Sequence, residues 1–223
     1  IDSVVTTLNI GTLADGPSFA SIVVDGANNN VTLVHSLDFT LRTGSLTVGE
    51  TGSASFVQSA GVVSTPVLTL GAANTASGSY LMSGAAVSLG TELDPVQRIV
   101  VGEDGSGSFR IEAGTIYATD LHVGGWYDGN TNTGHYGTGT MTQTGGVVNT
   151  NGLYVGTGPN AIYNLEGGTL VSGFGSLGGA STGTVFNHSG GTNRNNGLFI
   201  IGNAGGAPEV VYNMSGTAVG DFS

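Results

Sequence analysis

The chain contains no cysteine and no lysine. Without cysteine there is neither a disulfide framework nor a thiolate zinc site. Without lysine the only permanent cations are Arg42, Arg98, Arg110 and Arg194, set against 15 acidic residues for a net charge of −11. A nucleic-acid partner requires a basic stripe that displaces counterions from phosphate, and four dispersed arginines do not make one. An anionic membrane surface is disfavoured on the same ground. No apolar run approaches the roughly 18 residues of a membrane-spanning helix. Proline is scarce, five in 223 residues, which excludes a collagen-like repeat or a proline-rich linker.

Glycine, by contrast, is abundant at 41 residues. Each loses more backbone entropy on ordering than another residue would, so a fold that holds so many must use them at recurring turns. Lining the chain up on itself finds those turns. An apolar-x-apolar-Gly phrase recurs at Leu46–Gly49, Leu68–Gly71, Ile99–Gly102, Leu121–Gly124 and Leu153–Gly156, with looser copies ending at Gly178 and Gly202. A bulky residue stands four positions before a Gly or Ala pair at Phe56, Tyr80, Phe109, Met141, Tyr163 and Phe186, and Tyr212 closes the series. The interval from the phrase to the bulky residue is eight, and from the bulky residue to the next phrase 14, which gives a unit of about 22 residues.

Two excesses interrupt this register without shifting it: seven residues placed near 90–97 and ten near 125–136. Within a unit the apolar positions alternate, as in a strand. Placing Tyr163 and Phe109 inward sends Asn164, Glu166, Arg110 and Glu112 outward. A unit this short cannot bury its own apolar face, so the units must stack. The expected fold is an all-β parallel β-helix, or β-solenoid, with three short strands per coil and a prior for right-handed coils. An aromatic ladder is expected from Phe56 to Tyr212. An aliphatic ladder is expected at Val63, Val87, Ile116, Val148, Leu170 and Val219, broken by Asn193. One continuous domain results: irregular coils in residues 1–45, where Leu8–Gly11 echoes the phrase, and regular coils in 46–223.

The run Gly137–Gly146 (GTGTMTQTGG) followed by Leu153–Gly156 (LYVG) resembles the repeats of bacterial extracellular β-helix proteins, namely autotransporter passengers and PEP-CTERM-type surface proteins. The resemblance covers about 46–223. It implies an extracellular or bacterial cell-surface location and a structural or adhesive role, and carries over no catalytic motif. The start at Ile1 and the stop at Ser223 within a repeat read as a processed chain or a fragment. Without an evident polar cap on the repeats, head-to-tail self-association into a matrix filament is the expected form of partner.

The rival expectation is a β-helix that binds or degrades polysaccharide. A lyase needs a cation or metal beside the uronate and a glycosidase needs paired carboxylates, and neither grouping stands out, so no enzyme is expected. No cofactor is expected, with calcium the one candidate. The second insertion holds the only tryptophan, and Trp126, Tyr127, Asp128 and Tyr136 are candidate glycan contacts. Asp128, Asn130 and Asn132 alternate like the opening of a calcium loop, although Gly139 stands where the closing Glu belongs. Asn30, Asn187 and Asn213 begin glycosylation sequons. Ile162, Val185 and Val211, beside Asn164, Asn187 and Asn213, form an outward apolar stripe that suits a lateral interface. The four histidines (His35, His122, His135, His188) lack zinc-site spacing, and His188 is expected to be a structural residue.

Overall fold

A computed structural model describes residues 18–26, 30–179, 182–202 and 209–222. Among these the chain is all β, with parallel strands stacked into a solenoid of about eight turns of roughly 24 residues. One sheet has 14 strands and a second has eight, and the two remaining strands form an antiparallel hairpin. Each coil runs one strand through the eight-stranded sheet, turns, and runs two short strands through the 14-stranded one. The coil built from Ser53–Gln58, Val62–Ser64 and Val67–Leu70 shows all three. In three later coils the second and third strands fuse into nine-residue segments, Thr115–Val123, Val147–Val155 and Thr169–Leu177.

Glycine closes the turns because left-handed backbone is needed there. The phrase glycines all have positive φ, from 66° at Gly71 to 99° at Gly156. At Gly102 a Cβ would lie 1.9 Å from the carbonyl oxygen of Thr138 in the next coil. The coils therefore approach one another more closely there than any side chain allows.

The aromatic ladder has the expected register. Phe56 pairs with Tyr80, Tyr80 with Phe109, Phe109 with Met141, Met141 with Tyr163, Tyr163 with Phe186 and Phe186 with Tyr212, and Leu33 extends the row upstream. Ring centroids are 4.7–5.0 Å apart along Phe56–Tyr80–Phe109 and Tyr163–Phe186–Tyr212, contacts that add about 0.5–1.5 kcal/mol each beyond area burial.

Two positions after the ladder runs a second inward row: His35, Gln58, Met82, Ile111, Gln143, Leu165, His188 and Met214. Where this row is polar, the next coil's aromatic is a tyrosine that satisfies it. Tyr80 donates to Gln58 Oε1 at 2.6 Å and Tyr163 to Gln143 Oε1 at 2.8 Å, while Tyr212 meets His188 Nδ1 at 2.9 Å. After Met82 and Leu165 the aromatic is phenylalanine instead. A buried polar atom without a partner costs about 1–3 kcal/mol, which is why hydroxyl and amide occur together. His188 is thus structural, its Nε2 meeting the Gly191 carbonyl at 3.1 Å. His35 is the exception: Phe56 follows it, its Nε2 has no partner among the described residues, and burial lowers its pKa.

Two expectations are corrected. Val87 is not in the aliphatic ladder, since Leu89 pairs with both Val63 and Ile116. The turn between Met82 and Ser88 is two residues longer than its equivalent between Gln58 and Val62. The seven-residue excess is therefore divided, two residues in that turn and five in the loop Gly90–Pro95. At the other end Gly220, not Val219, pairs with Asn193, because the turn after Met214 is one residue longer. The coil is also longer than 22 on average, with ladder partners spaced from 22 residues (Met141 to Tyr163) to 32 (Phe109 to Met141). Val31–His35 and Thr40–Thr43 continue the ladders in register, while Leu8–Gly11 lies outside the described residues.

Tyr163→Phe should lower stability by about 1–2 kcal/mol by stranding the Gln143 oxygen. Adding Gln143→Met should recover part of that loss, because the Gly146 carbonyl keeps its bond from the Thr169 amide. Urea unfolding of both variants measures the coupling. Gly102→Ala should cost more than about 1 kcal/mol, read from the same transition.

Candidate functional site

On the outer face of the 14-stranded sheet, two rows bring polar and aromatic groups together. One pairs Arg98, Asp120, Gly152 and Phe174, and the other Val100, His122, Tyr154 and Ser176. His122 and Tyr154 stack at 4.7 Å and 10°. Asp120 and Tyr154 lean over Gly152, where a Cβ would meet Asp120 Oδ1 at 2.6 Å and the Tyr154 ring at 2.7 Å.

The ten-residue insertion forms the wall of this site. It is the hairpin Trp126–Asp128 with Thr133–His135. Acids from the preceding coil tether it: the Trp126 indole N–H donates to Glu103 Oε1 at 2.9 Å, and His135 Nδ1 meets Asp104 Oδ2 at 2.9 Å. Trp126 is only 8% exposed, with the Arg98 guanidinium 3.6 Å from its ring centroid and the His135 ring stacked parallel at 5.2 Å. Tyr127 and Tyr136 are half exposed. Of the candidate glycan residues, then, Trp126 is largely enclosed and the two tyrosines present their rings.

Beneath the hairpin lies a groove of about 360 Å³ lined by Arg98, Asp120, His122, Trp126, Tyr127 and Tyr154. It adjoins a second of about 380 Å³ that shares Tyr127, Tyr154 and Thr157 and reaches Tyr136. Burial, aided by Arg98, pushes the His122 pKa down to about 4. Burial raises Asp120, partly offset by Arg98, and raises Tyr154, helped by Asp120. Among the described residues Arg98 Nε and His122 Nδ1 are both buried without a hydrogen-bond partner. The guanidinium makes no ion pair within 4.0 Å among the described residues. A third groove, about 470 Å³, lies between Glu92 and Pro95 of the first insertion and Tyr117, Asn149, Asn151 and Asn196.

The candidate calcium residues close a turn on themselves. Asp128 accepts the Asn130 amide and the Thr131 hydroxyl, each at 2.9 Å, and these bonds hold its pKa below the usual value. Asn132 takes a left-handed φ of 57° and its Oδ1 accepts the Tyr127 hydroxyl. Among the described residues no three His, Asp or Glu side chains converge on a metal-sized site.

On the other sheet Ile162, Val185 and Val211 form one outward row continuing Ser55, Ser79, Ser108 and Thr140, all partly exposed except Ser108, which is exposed. Beside it Asn213 donates to Asn187 at 2.8 Å and Asn187 to Asn164 at 2.9 Å. The sequon amides of Asn187 and Asn213 are thus engaged in the ladder, and Asn30 is exposed.

Sequence reasoning missed Arg98, Asp120, His122 and Tyr154. The signal was present: Arg98 and Asp120 are one 22-residue period apart, and His122 and Tyr154 one period plus the ten inserted residues. Comparison with protein-family models, curated sequences and solved structures yields no match.

Acid should destabilise the protein through His122. The unfolded chain takes up a proton there near pH 6.5 and the folded chain only near 4, so the contribution is full above 6.5 and is lost as pH falls through that window. The loss is on the order of 3 kcal/mol. His35, also lowered, adds to it. His122→Gln should flatten the pH dependence of the urea midpoint between pH 6.5 and 4.

Proposed function

We propose that this chain is a non-enzymatic structural and adhesive scaffold of the extracellular type. The observation that carries the reading is the continuity of the side-chain ladders. One backbone register joins the coils from Val31 to Met214, and outward polar groups such as Asn164, Asn187 and Asn213 bond to their own counterparts one coil away. Surface chemistry used in this way stiffens a rod. Eight coils at the strand spacing of about 4.8 Å rise roughly 35 Å. In the filament version, copies join end to end by the same parallel pairing that joins coils. The groove supports the reading as well, since an imidazole with a pKa of about 4 is a weak general base at neutral pH.

A second reading, a polysaccharide-processing enzyme, is favoured by one observation: Arg98, Asp120, His122 and Tyr154 line one groove. The two differ in turnover. Incubation with uncharged and anionic polysaccharides, with and without calcium, should release no reducing or unsaturated ends. Electron microscopy of native material should show rods, joined end to end in the filament version. Reproducible chain cleavage that Asp120→Asn abolishes would replace the scaffold reading with the enzymatic one.

A further inference from the structure

Arg98 and His122 share an unusual condition. Each buries a nitrogen, Nε and Nδ1 respectively, that finds no partner among the described residues, and both line the groove under the hairpin. Leaving such atoms unpaired costs about 1–3 kcal/mol apiece, and Asp120, the ladder partner of Arg98, does not close an ion pair with it. Arg98 instead sets its guanidinium over the face of Trp126, 3.6 Å from the ring centroid. Asp120 and Tyr154 fold toward each other over Gly152, where only a glycine leaves room.

We propose that this groove is a binding site for an uncharged saccharide chain. Its polar groups are mixed in kind: Arg98 only donates, ionised Asp120 only accepts, and neutral His122 and the Tyr154 hydroxyl do both. Neighbouring sugar hydroxyls each donate and accept, so a pair of them can bridge Arg98 and Asp120 and complete the bonds that the protein leaves open. The exposed ring of Tyr127 and the partly exposed ring of Tyr154 supply the apolar surface against which a sugar's C–H face packs. An anionic saccharide fits less well, because Asp120 and Asp128 border the same groove and the whole chain carries −11. The site differs from the insertion surface of Trp126, Tyr127, Asp128 and Tyr136 expected from sequence: its polar contacts come from the sheet floor, and Trp126 serves as the support beneath Arg98. The inference goes beyond the scaffold reading and stands apart from it, since binding with turnover and binding without turnover both use the groove.

Trp126, the single tryptophan, is a built-in reporter. Titration with dextran, laminarin, xylan and galactomannan, and with alginate and polygalacturonate, should shift its emission for at least one uncharged polymer and retard the protein in an affinity gel cast with that polymer. Asp120→Asn and Arg98→Gln should each weaken gel retardation roughly tenfold, the loss of one charge-assisted hydrogen bond. Far-ultraviolet dichroism verifies that both variants are folded, and Tyr154→Phe, which keeps the ring, provides a third variant with a smaller loss. The proposal is overturned if no uncharged polymer binds, if the polyuronates bind more tightly than the uncharged polymers, or if the folded variants bind as well as the parent chain.

Discussion

In each main sheet of this molecule, every strand pairs in parallel with the strand one coil away. A residue's neighbour across the ladder is therefore its own counterpart in the repeat. This one constraint propagates into every other feature. It stacks ring on ring along Phe56–Tyr80–Phe109 and Tyr163–Phe186–Tyr212, with Met141 between the two runs, and amide on amide from Asn164 to Asn213. It also makes each coil an environment for the next, so a polar residue admitted at Gln58 or Gln143 dictates a hydroxyl at Tyr80 or Tyr163. The interior is assembled coil by coil under a local rule, in the manner of a one-dimensional array.

The groove obeys the same rule. Arg98 and Asp120 are ladder partners, as are His122 and Tyr154, so the floor of the site is two adjacent rows of a sheet. Its polar groups are held by backbone pairing on both sides, which gives them the rigidity that recognition needs. Trp126 adds the support for Arg98 from outside the repeat and is itself anchored by Glu103 of the preceding coil.

Much of this was legible in the residues alone. Alternation and interval gave the inward parity of Phe109 and Tyr163 and the whole aromatic ladder, because the opposite parity would bury Arg110, Glu112 and Glu166. The aliphatic ladder was legible only in part. Val87 resembles its supposed partners in type, and nothing in composition distinguishes a five-residue turn from a three-residue one. The site was least legible. The aromatic cluster at 126–136 draws attention as a surface, yet a hairpin folded back on its own coil turns Trp126 inward. The groups that face the groove are separated in sequence by whole periods and become neighbours only once the insertion lengths are known.

The hairpin differs in kind from everything beneath it. Gly124 and Gly137 bracket it, each bonded to the coil before, by amides that donate to Val101 and Glu103, so the chain leaves the stack and rejoins it at the same level. Floor and wall thus belong to separate structural economies. The floor is bound to its neighbours above and below and can change only in concert with them. The wall can lengthen, shorten or exchange its residues while the stack stays as it is. A lineage carrying such a module could alter what the groove admits by editing about a dozen residues and leave the architecture that supports them untouched.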